Sequence, residues 1–504
     1  MGALTDILAT GRIRTDHRPW LRAEVDAATW EALSEGLAAG RWTLMALWGE
    51  PDAVHMALLD EAATSLGTAT YLAGDGTFPS VGRHHAPAQR LERTIRDLYG
   101  LVPVEAPDTR LWLDHGRWPV SRPLSGAPIP PDTNPYAFLP VDGQGLHEVA
   151  VGPVHAGIIE PGHFRFTANG EAVVRLEERL GYVHRGIEGL MRGASLERAA
   201  TLAGRVSGDS TVAYALAFAG AVEAALEMEA PPRARWLRGL MAELERLANH
   251  FGDIGAVCND AAFARMLAPC EVLREQMLRA SEAAFGQRMM RDLVVPGGVL
   301  IDLAPRGEGR LRSLVETARS ALPELLALYD GTASLQDRTV GTGIAQPDLV
   351  RRFGCGGFVG RASGRGFDVR RTLPYAPYDA LRFDVAVLEA GDVDARVRIR
   401  FSEAEESLSL ITQMLSNMPD GGDLSSPLPQ SGAAREGVAL VEGFRGDVFA
   451  FVRLDAAGRV AHAHLRDPSW FQWPVLEAVI EGNIIADFPL CNKSFNCSYA
   501  GHDL

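Results

Sequence analysis

The chain is almost without lysine: Lys493 is the single one in 504 residues, so nearly every fixed cation is an arginine. Acids outnumber bases and the formal net charge is -15. That balance argues against a nucleic-acid surface, which needs clustered Lys and Arg to neutralise phosphates. Cysteine is scarce too. The five thiols, at 258, 270, 355, 491 and 497, include no Cys-x-x-Cys pair. They offer no disulfide framework, which suits a reducing compartment, and too few ligands for an iron–sulfur cluster. No uncharged run reaches the ~18 residues that suggest a membrane span, and the Met1-Gly2-Ala3 start has neither the basic nor the apolar segment of a leader. The glycine-rich stretch 337–343 follows no convincing strand and lacks a GxGxxG frame, so no dinucleotide or phosphate cradle is expected there. Contact with a membrane is therefore expected through partners only.

What is present is an ordinary globular composition, 47% hydrophobic and 22% charged, in a chain long enough for two or more domains. Its centre is a polar loop at 204–210, Gly-Arg-Val-Ser-Gly-Asp-Ser, feeding a segment at 211–228 that is apolar on nearly every side. Such a segment reads as a helix buried within a large domain. The fold class expected is α+β, with a small N-terminal α/β domain at 1–124, a Pro-rich linker at 125–145, and a large domain at 146–504. Runs at 41–48 and 54–59 read as a hairpin, and Pro87 opens a helix that Gly100 stops. On that helix Glu92 reads as an N-terminal acid and Asp97 as a surface or docking charge. In the large domain, alternating runs flank the Gly/Pro-rich 152–162 and suggest two strands. Leu237, Leu240, Met241, Leu244, Leu247 and Phe251 form a bundle-packing stripe. Helices are expected at 271–290, 311–328 and 475–485, with a capping box at 402–405 opening another and small peripheral sheets at 435–465.

Several motifs, in order, carry a resemblance. Gly-Pro-Val-His at 152–155 with Glu-Pro-Gly-His-Phe-Arg at 160–165, Leu-Gly-Tyr-Val-His-Arg-Gly-Ile-Glu at 180–188, the loop 204–210 and the final segment 489–504 resemble the superfamily of the complex I quinone-site subunit and the large subunit of nickel–iron energy-converting hydrogenases. The helix ending Asp-Leu-Tyr-Gly at 97–100 and the tail at 111–124 resemble the small peripheral subunit of complex I, here fused as in hydrogenases of the formate hydrogenlyase kind. His184 and Arg185 read as packing and helix-entry residues.

In the hydrogenases the resemblance implies a Cys-x-x-Cys pair from each half of the site. Here those four positions hold Ser207, Ser210, Ser498 and Gly501, and neither hydroxyls nor glycine replace soft thiolate sulfur. The tyrosine that complex I sets against its quinone falls on Gly208, and Asp209 is a new acid. Glu160 matches the glutamate that takes protons from the hydrogenase metal, and a carboxylate in a buried cleft can be tuned by desolvation.

The resemblance thus implies a peripheral subunit on the cytoplasmic side of a membrane complex, with no metal bound by this chain and quinone as a possible acceptor. Its partners would be a small iron–sulfur subunit and membrane subunits. Glu160 and Asp209 are the candidate catalytic residues. His155, Ser207, Gly208, Ser210, Lys493 and Ser498 are the candidate lining of a remnant cavity. Two other readings stand beside it: a catalytically inactive structural coupler, and a replacement metal site of Cys491, Cys497, His502 and Asp503.

Overall fold

The structure is a computed structural model, and it describes residues 3–131, 135–155 and 159–504. Near the N-terminus, Thr43–Glu50, Ala53–Asp60 and Ser65–Leu72 form an antiparallel meander, which the parallel strand Leu21–Glu24 and the short Arg12–Ile13 extend into five strands. The helix Gln89–Tyr99 lies against this sheet and stops at Gly100, whose φ of +78° is the left-handed C-cap conformation.

Glu92 stands in the first turn of this helix, as the sequence suggests, but Asp97 corrects the sequence reading, because it is buried, as Glu92 is too. Glu92 accepts hydrogen bonds from Ser80 Oγ and from the N–H groups of Val81 and Gly82. Asp97 takes three from the N–H groups of Trp112, Leu113 and Asp114. Burial raises them to about 7 and about 6 despite those donors. They are internal posts that fix loops, not surface charges.

Between Val104 and Leu146 the described residues form no helix or named strand, and residues 132–134 of the expected linker lie outside the described residues. Beyond it, Leu146–Val151, His163–Asn169 and Ala172–Arg179 make a three-stranded antiparallel sheet. The long helices Pro232–Asp260, Ala264–Phe285, Pro305–Asp330 and Val393–Asn417 form the bundle, and the buried side of the first carries the leucine stripe. Each of the helices expected at 271–290, 311–328, 402 onward and 475–485 begins earlier than the sequence suggests, the first two at Ala264 and Pro305. Ser402 is interior, because Asp392 caps the helix ten residues earlier by accepting from Ala395 N–H. Near the C-terminus the helix spans Ser469–Val479, followed by a separate turn at Ile485–Asp487.

The helix Thr211–Ala225 is sandwiched between this bundle and the sheet Arg435–Gly443, Gly446–Leu454 and Val460–Arg466. It is all but enclosed, and small side chains let it come close. A Cβ added at Gly437 would stand 2.0 Å from the Ala221 carbonyl oxygen. His17–Arg18 adds a parallel strand to the same sheet, so the N-terminal segment is stitched to the C-terminal one. One continuous core cluster runs from Leu4 to Leu504.

Candidate functional site

The loop before the central helix is held from behind. Thr211 donates to the Gly204 carbonyl at 2.8 Å. Glu245 accepts from the N–H groups of Val212 and Ala213 at 2.7 and 3.0 Å, satisfying two donors that every helix start leaves open. Glu245 is enclosed, and burial, with Asp209 nearby, pushes it up to about 8.

The second half of the site is the turn between the helices Phe488–Phe495 and Tyr499–Asp503. Asn496 takes the left-handed conformation at the end of the first, and Ser498 caps the second by accepting from Gly501 N–H at 2.9 Å. The halves meet directly: Ser207 Oγ and Ser498 Oγ are 2.8 Å apart. Ser207 spends its one proton on Asp209 Oδ1 at 2.9 Å, so Ser498 must donate to Ser207. An oriented chain results, running from Gly501 N–H through both hydroxyls to the Asp209 carboxylate.

Arg445, at the turn between the two long strands of the sheet, completes the site. Its guanidinium grips Asp209 in two parallel bonds of 2.7 and 2.6 Å and donates to Ser210 Oγ at 3.2 Å. Its Nε donates to the Asn496 carbonyl at 2.5 Å, so one arginine ties both halves. Burial opposes ionisation of Asp209, but Arg445 outweighs it and holds the acid down to about 2. Arg185 is a second clamp, donating to the carbonyls of Arg205, Val206 and Ala500. Sequence reading singled out neither Arg445 nor Glu245. Arg445 sits in Gly443-Phe444-Arg445-Gly446, and a cation at such a turn reads as solvated until the fold buries it.

The other candidates are more dispersed. Gly208 is exposed beside Asp209. Glu160 is exposed and accepts from Ala500 N–H at 3.0 Å, so it touches the second half at its backbone. His155 turns onto its own hairpin, with Nε2 2.8 Å from the Gly162 carbonyl. Lys493 donates to Asn496 Oδ1 at 3.3 Å and lies 3.7 Å from Asp253. It therefore joins the periphery of the Arg445 network, not its centre.

A nickel–iron centre does not fit these residues. Two of the four positions are hydroxyls already bonded to each other. A Cβ added at Gly501 would stand 2.3 Å from Asp467 Oδ2, a carboxylate anchored by Tyr214 at 2.6 Å and by Ser469 N–H at 2.8 Å. The replacement metal site is not assembled either. Among the described residues no three His, Cys, Asp or Glu groups are placed to hold an ion. Burial pushes the Cys491 thiol to about 12 and the Cys497 thiol well above its usual range. His502 has both ring nitrogens engaged: Trp112 Nε1 donates to Nε2 at 3.2 Å, which leaves Nδ1–H for Asp503 at 2.7 Å.

The fold is that of a large subunit of a membrane-bound respiratory complex, and at the meeting of its two halves it sets hydroxyls beside an Asp209–Arg445 ion pair. Residues 261–431 match the family described as respiratory-chain NADH dehydrogenase, 49 kDa subunit. The chain is 34% identical to the carbon monoxide-induced hydrogenase of Rhodospirillum rubrum, over 70% of this chain and 98% of that protein. It is 30% identical to formate hydrogenlyase subunit 5 of Escherichia coli (84% and 77%). It is also 27% identical to the C/D subunit of NADH-quinone oxidoreductase from Bacteroides thetaiotaomicron (81% and 82%). A solved archaeal respiratory complex, the membrane-bound sulfane sulfur reductase, contains a chain that superposes with a TM-score of 0.68 at 26% identity, over 73% of this chain and all of that one.

The chain belongs to the family that joins the 49 kDa subunit of complex I to the large subunits of membrane-bound hydrogenases. Its relatives are subunits of membrane-bound respiratory and hydrogenase complexes. Among its own described residues no helix is long and apolar enough to cross a membrane.

Proposed function

We propose that this chain is the soluble-arm large subunit of a membrane complex related to complex I and the energy-converting hydrogenases, and that it works without a nickel–iron centre. In this reading a small iron–sulfur partner delivers electrons to quinone or another small acceptor, membrane subunits couple the transfer to ion movement, and the chain sits on the cytoplasmic face. The division into 1–124, 125–145 and 146–504 belongs to the same proposal.

The observation that carries it is the direct contact of Ser207 with Ser498 beside an Asp209–Arg445 pair, in a place where family members would hold thiolates. Hydroxyls, a carboxylate and a guanidinium orient charge and protons but do not exchange electrons. The chain's own part is therefore to hold the two halves in one oriented arrangement of hydroxyls and paired charge. Asp209 and Glu160 are the acids that bond directly to its two halves.

The test is quinone reduction by the intact complex purified from its native membrane. Asp209→Asn is expected to lower turnover on the order of 100-fold with assembly unchanged. A second reading, a structural coupler without electron transfer, is favoured by one feature: the two hydroxyls meet, closing the gap an acceptor would fill. No turnover with any acceptor in an intact wild-type complex would establish that reading instead.

A further inference from the structure

A cavity of about 570 Å³ lies at the seam between the N-terminal sheet and the large part, and it shares no residue with the Ser207–Ser498 site. Its size is that of a small-molecule site. Its two sides differ in chemistry. The end of the helix Ala27–Ala38 and the neighbouring segments supply an apolar wall of Leu37, Ala38, Ala39, Leu59 and Ala62. The large part contributes Arg351, Arg352 and Arg365, and Arg41 adds a fourth cation. Four arginines against two carboxylates, Glu61 and Asp348, make this a cationic spot on a chain whose formal net charge is -15.

The cations are held to different degrees. Arg365 is buried and fixed: it donates to the carbonyls of Gly354 and Cys355 at 2.9 Å each, and across the seam to Glu61 at 2.5 Å. Thr43 donates to the same Glu61 oxygen at 2.8 Å. Arg41 lies over the Trp42 ring, 4.9 Å from its centroid. The two arginines in the last turn of the helix Pro347–Arg352 are looser. Arg351 meets Asp348 in a surface pair whose carboxylate is 96% exposed, a contact worth little, so Arg351 can turn to a ligand at small cost. The Arg352 guanidinium makes no hydrogen bond or ion pair among the described residues.

The buried imidazole in the same wall also lacks a partner. His85 is 3% exposed, and neither of its ring nitrogens has a hydrogen-bond partner among the described residues. Burial, with the Arg352 charge nearby, holds it down to about 4, so the ring is neutral and carries one unmet donor and one unmet acceptor. Such atoms cost stability unless something reaches them. No bond fixes the tautomer, so whichever nitrogen an anion approaches can carry the proton and donate it.

We propose that this seam cavity binds a small organic phosphate, a phosphomonoester whose dianion meets Arg351, Arg352 and His85 while its organic body lies on the apolar wall. Phosphate suits donors that converge from separate side chains, because each of its oxygens can take its own charge-assisted bond. The site needs no electron transfer and stands independently of the redox reading above. A ligand here would touch both sides of the seam that Glu61 and Arg365 already bridge, and so would fasten the N-terminal part to the large one.

Isothermal titration calorimetry of the full-length chain with phenyl phosphate tests it, with inorganic phosphate, benzoate and phenol as comparisons. Saturable binding of phenyl phosphate below about 1 mM is expected, at least about tenfold tighter than inorganic phosphate and with no heat from phenol. Arg352→Ala should weaken it about tenfold, the loss of one charge-assisted contact, while Arg310→Ala, at an exposed arginine outside the cavity, should bind as wild type. His85→Leu, similar to imidazole in volume, should also weaken binding while leaving stability to denaturant level or higher, because two unmet polar atoms leave with the ring. Lost stability with unchanged affinity in that variant would mean that the imidazole is satisfied within the fold, and would overturn the site. No saturable heat, or equal affinity in Arg352→Ala and wild type, would overturn it as well. Inorganic phosphate binding as tightly as phenyl phosphate would remove the organic body from the assignment, and tighter binding of benzoate would overturn the choice of phosphate.

Discussion

Arg445 is almost fully buried while Asp209 keeps about a third of its side chain exposed, 5% against 35%. A cation enclosed to that degree depends on its carboxylate. Asp209→Asn should therefore cost about 2 kcal/mol in chemical denaturation, the scale of a charge-assisted bond lost from a buried partner. A loss below a few tenths would show that Asn496 and solvent suffice for Arg445. At Gly501 the constraint is steric, since even one carbon would press on Asp467. Gly501→Cys should lower stability by about 2 kcal/mol, the usual cost of overpacking, and should bind no nickel even when combined with Ser207→Cys, Ser210→Cys and Ser498→Cys. At this scale the sequence singled out Ser207 and Ser498, from motifs about 290 residues apart, and the structure brings them into contact. It did not disclose Arg445, Glu245 or the burial of Glu92 and Asp97, since each depends on neighbours brought from elsewhere in the chain.

At the scale of elements, the start of the helix Thr211–Ala225 is governed by Glu245, which reaches it from another helix 33 residues on. Burial raises this acid from an ordinary 4.5 to about 8. Folding then favours the protonated form, so its contribution is fully present below about 4.5 and declines as pH rises to about 8. Glu245→Gln removes that dependence. Relative to the variant, the wild-type Tm should fall as pH rises through this window and stay level outside it, and a constant difference would refute the buried-acid account. Periodicity made the central helix and the leucine-striped helix readable, because enclosure and amphipathicity leave strong patterns. Ends were read less well: the capping box at 402–405 imitates a helix start inside a helix that Asp392 already caps, and local signals cannot reveal what precedes them.

For the whole molecule, the C-terminal motif is gripped by the N-terminal part as well as by the large one. Trp112 donates to His502, and Arg179 donates to the Trp112 and Asp114 carbonyls. Trp112→Phe keeps the ring and loses the donor, so a destabilisation of about 1 kcal/mol is expected by denaturant titration. No change there would show that stacking alone holds His502. The order of motifs revealed the family and its fused N-terminal unit from sequence. The cavity at the seam between the N-terminal sheet and the large part was not legible, because its walls come from segments as far apart as Leu37 and Gly366 that only the fold brings together.

The account turns on the refilled thiolate positions, and the most direct measurement is the nickel content of the complex purified from its native membrane, with hydrogen uptake assayed on the same sample. The account predicts no stoichiometric nickel and no hydrogen turnover. About one nickel per chain together with hydrogen turnover would contradict it, because Ser207, Ser210, Ser498 and Gly501 would then sustain the chemistry that their side chains are argued to exclude.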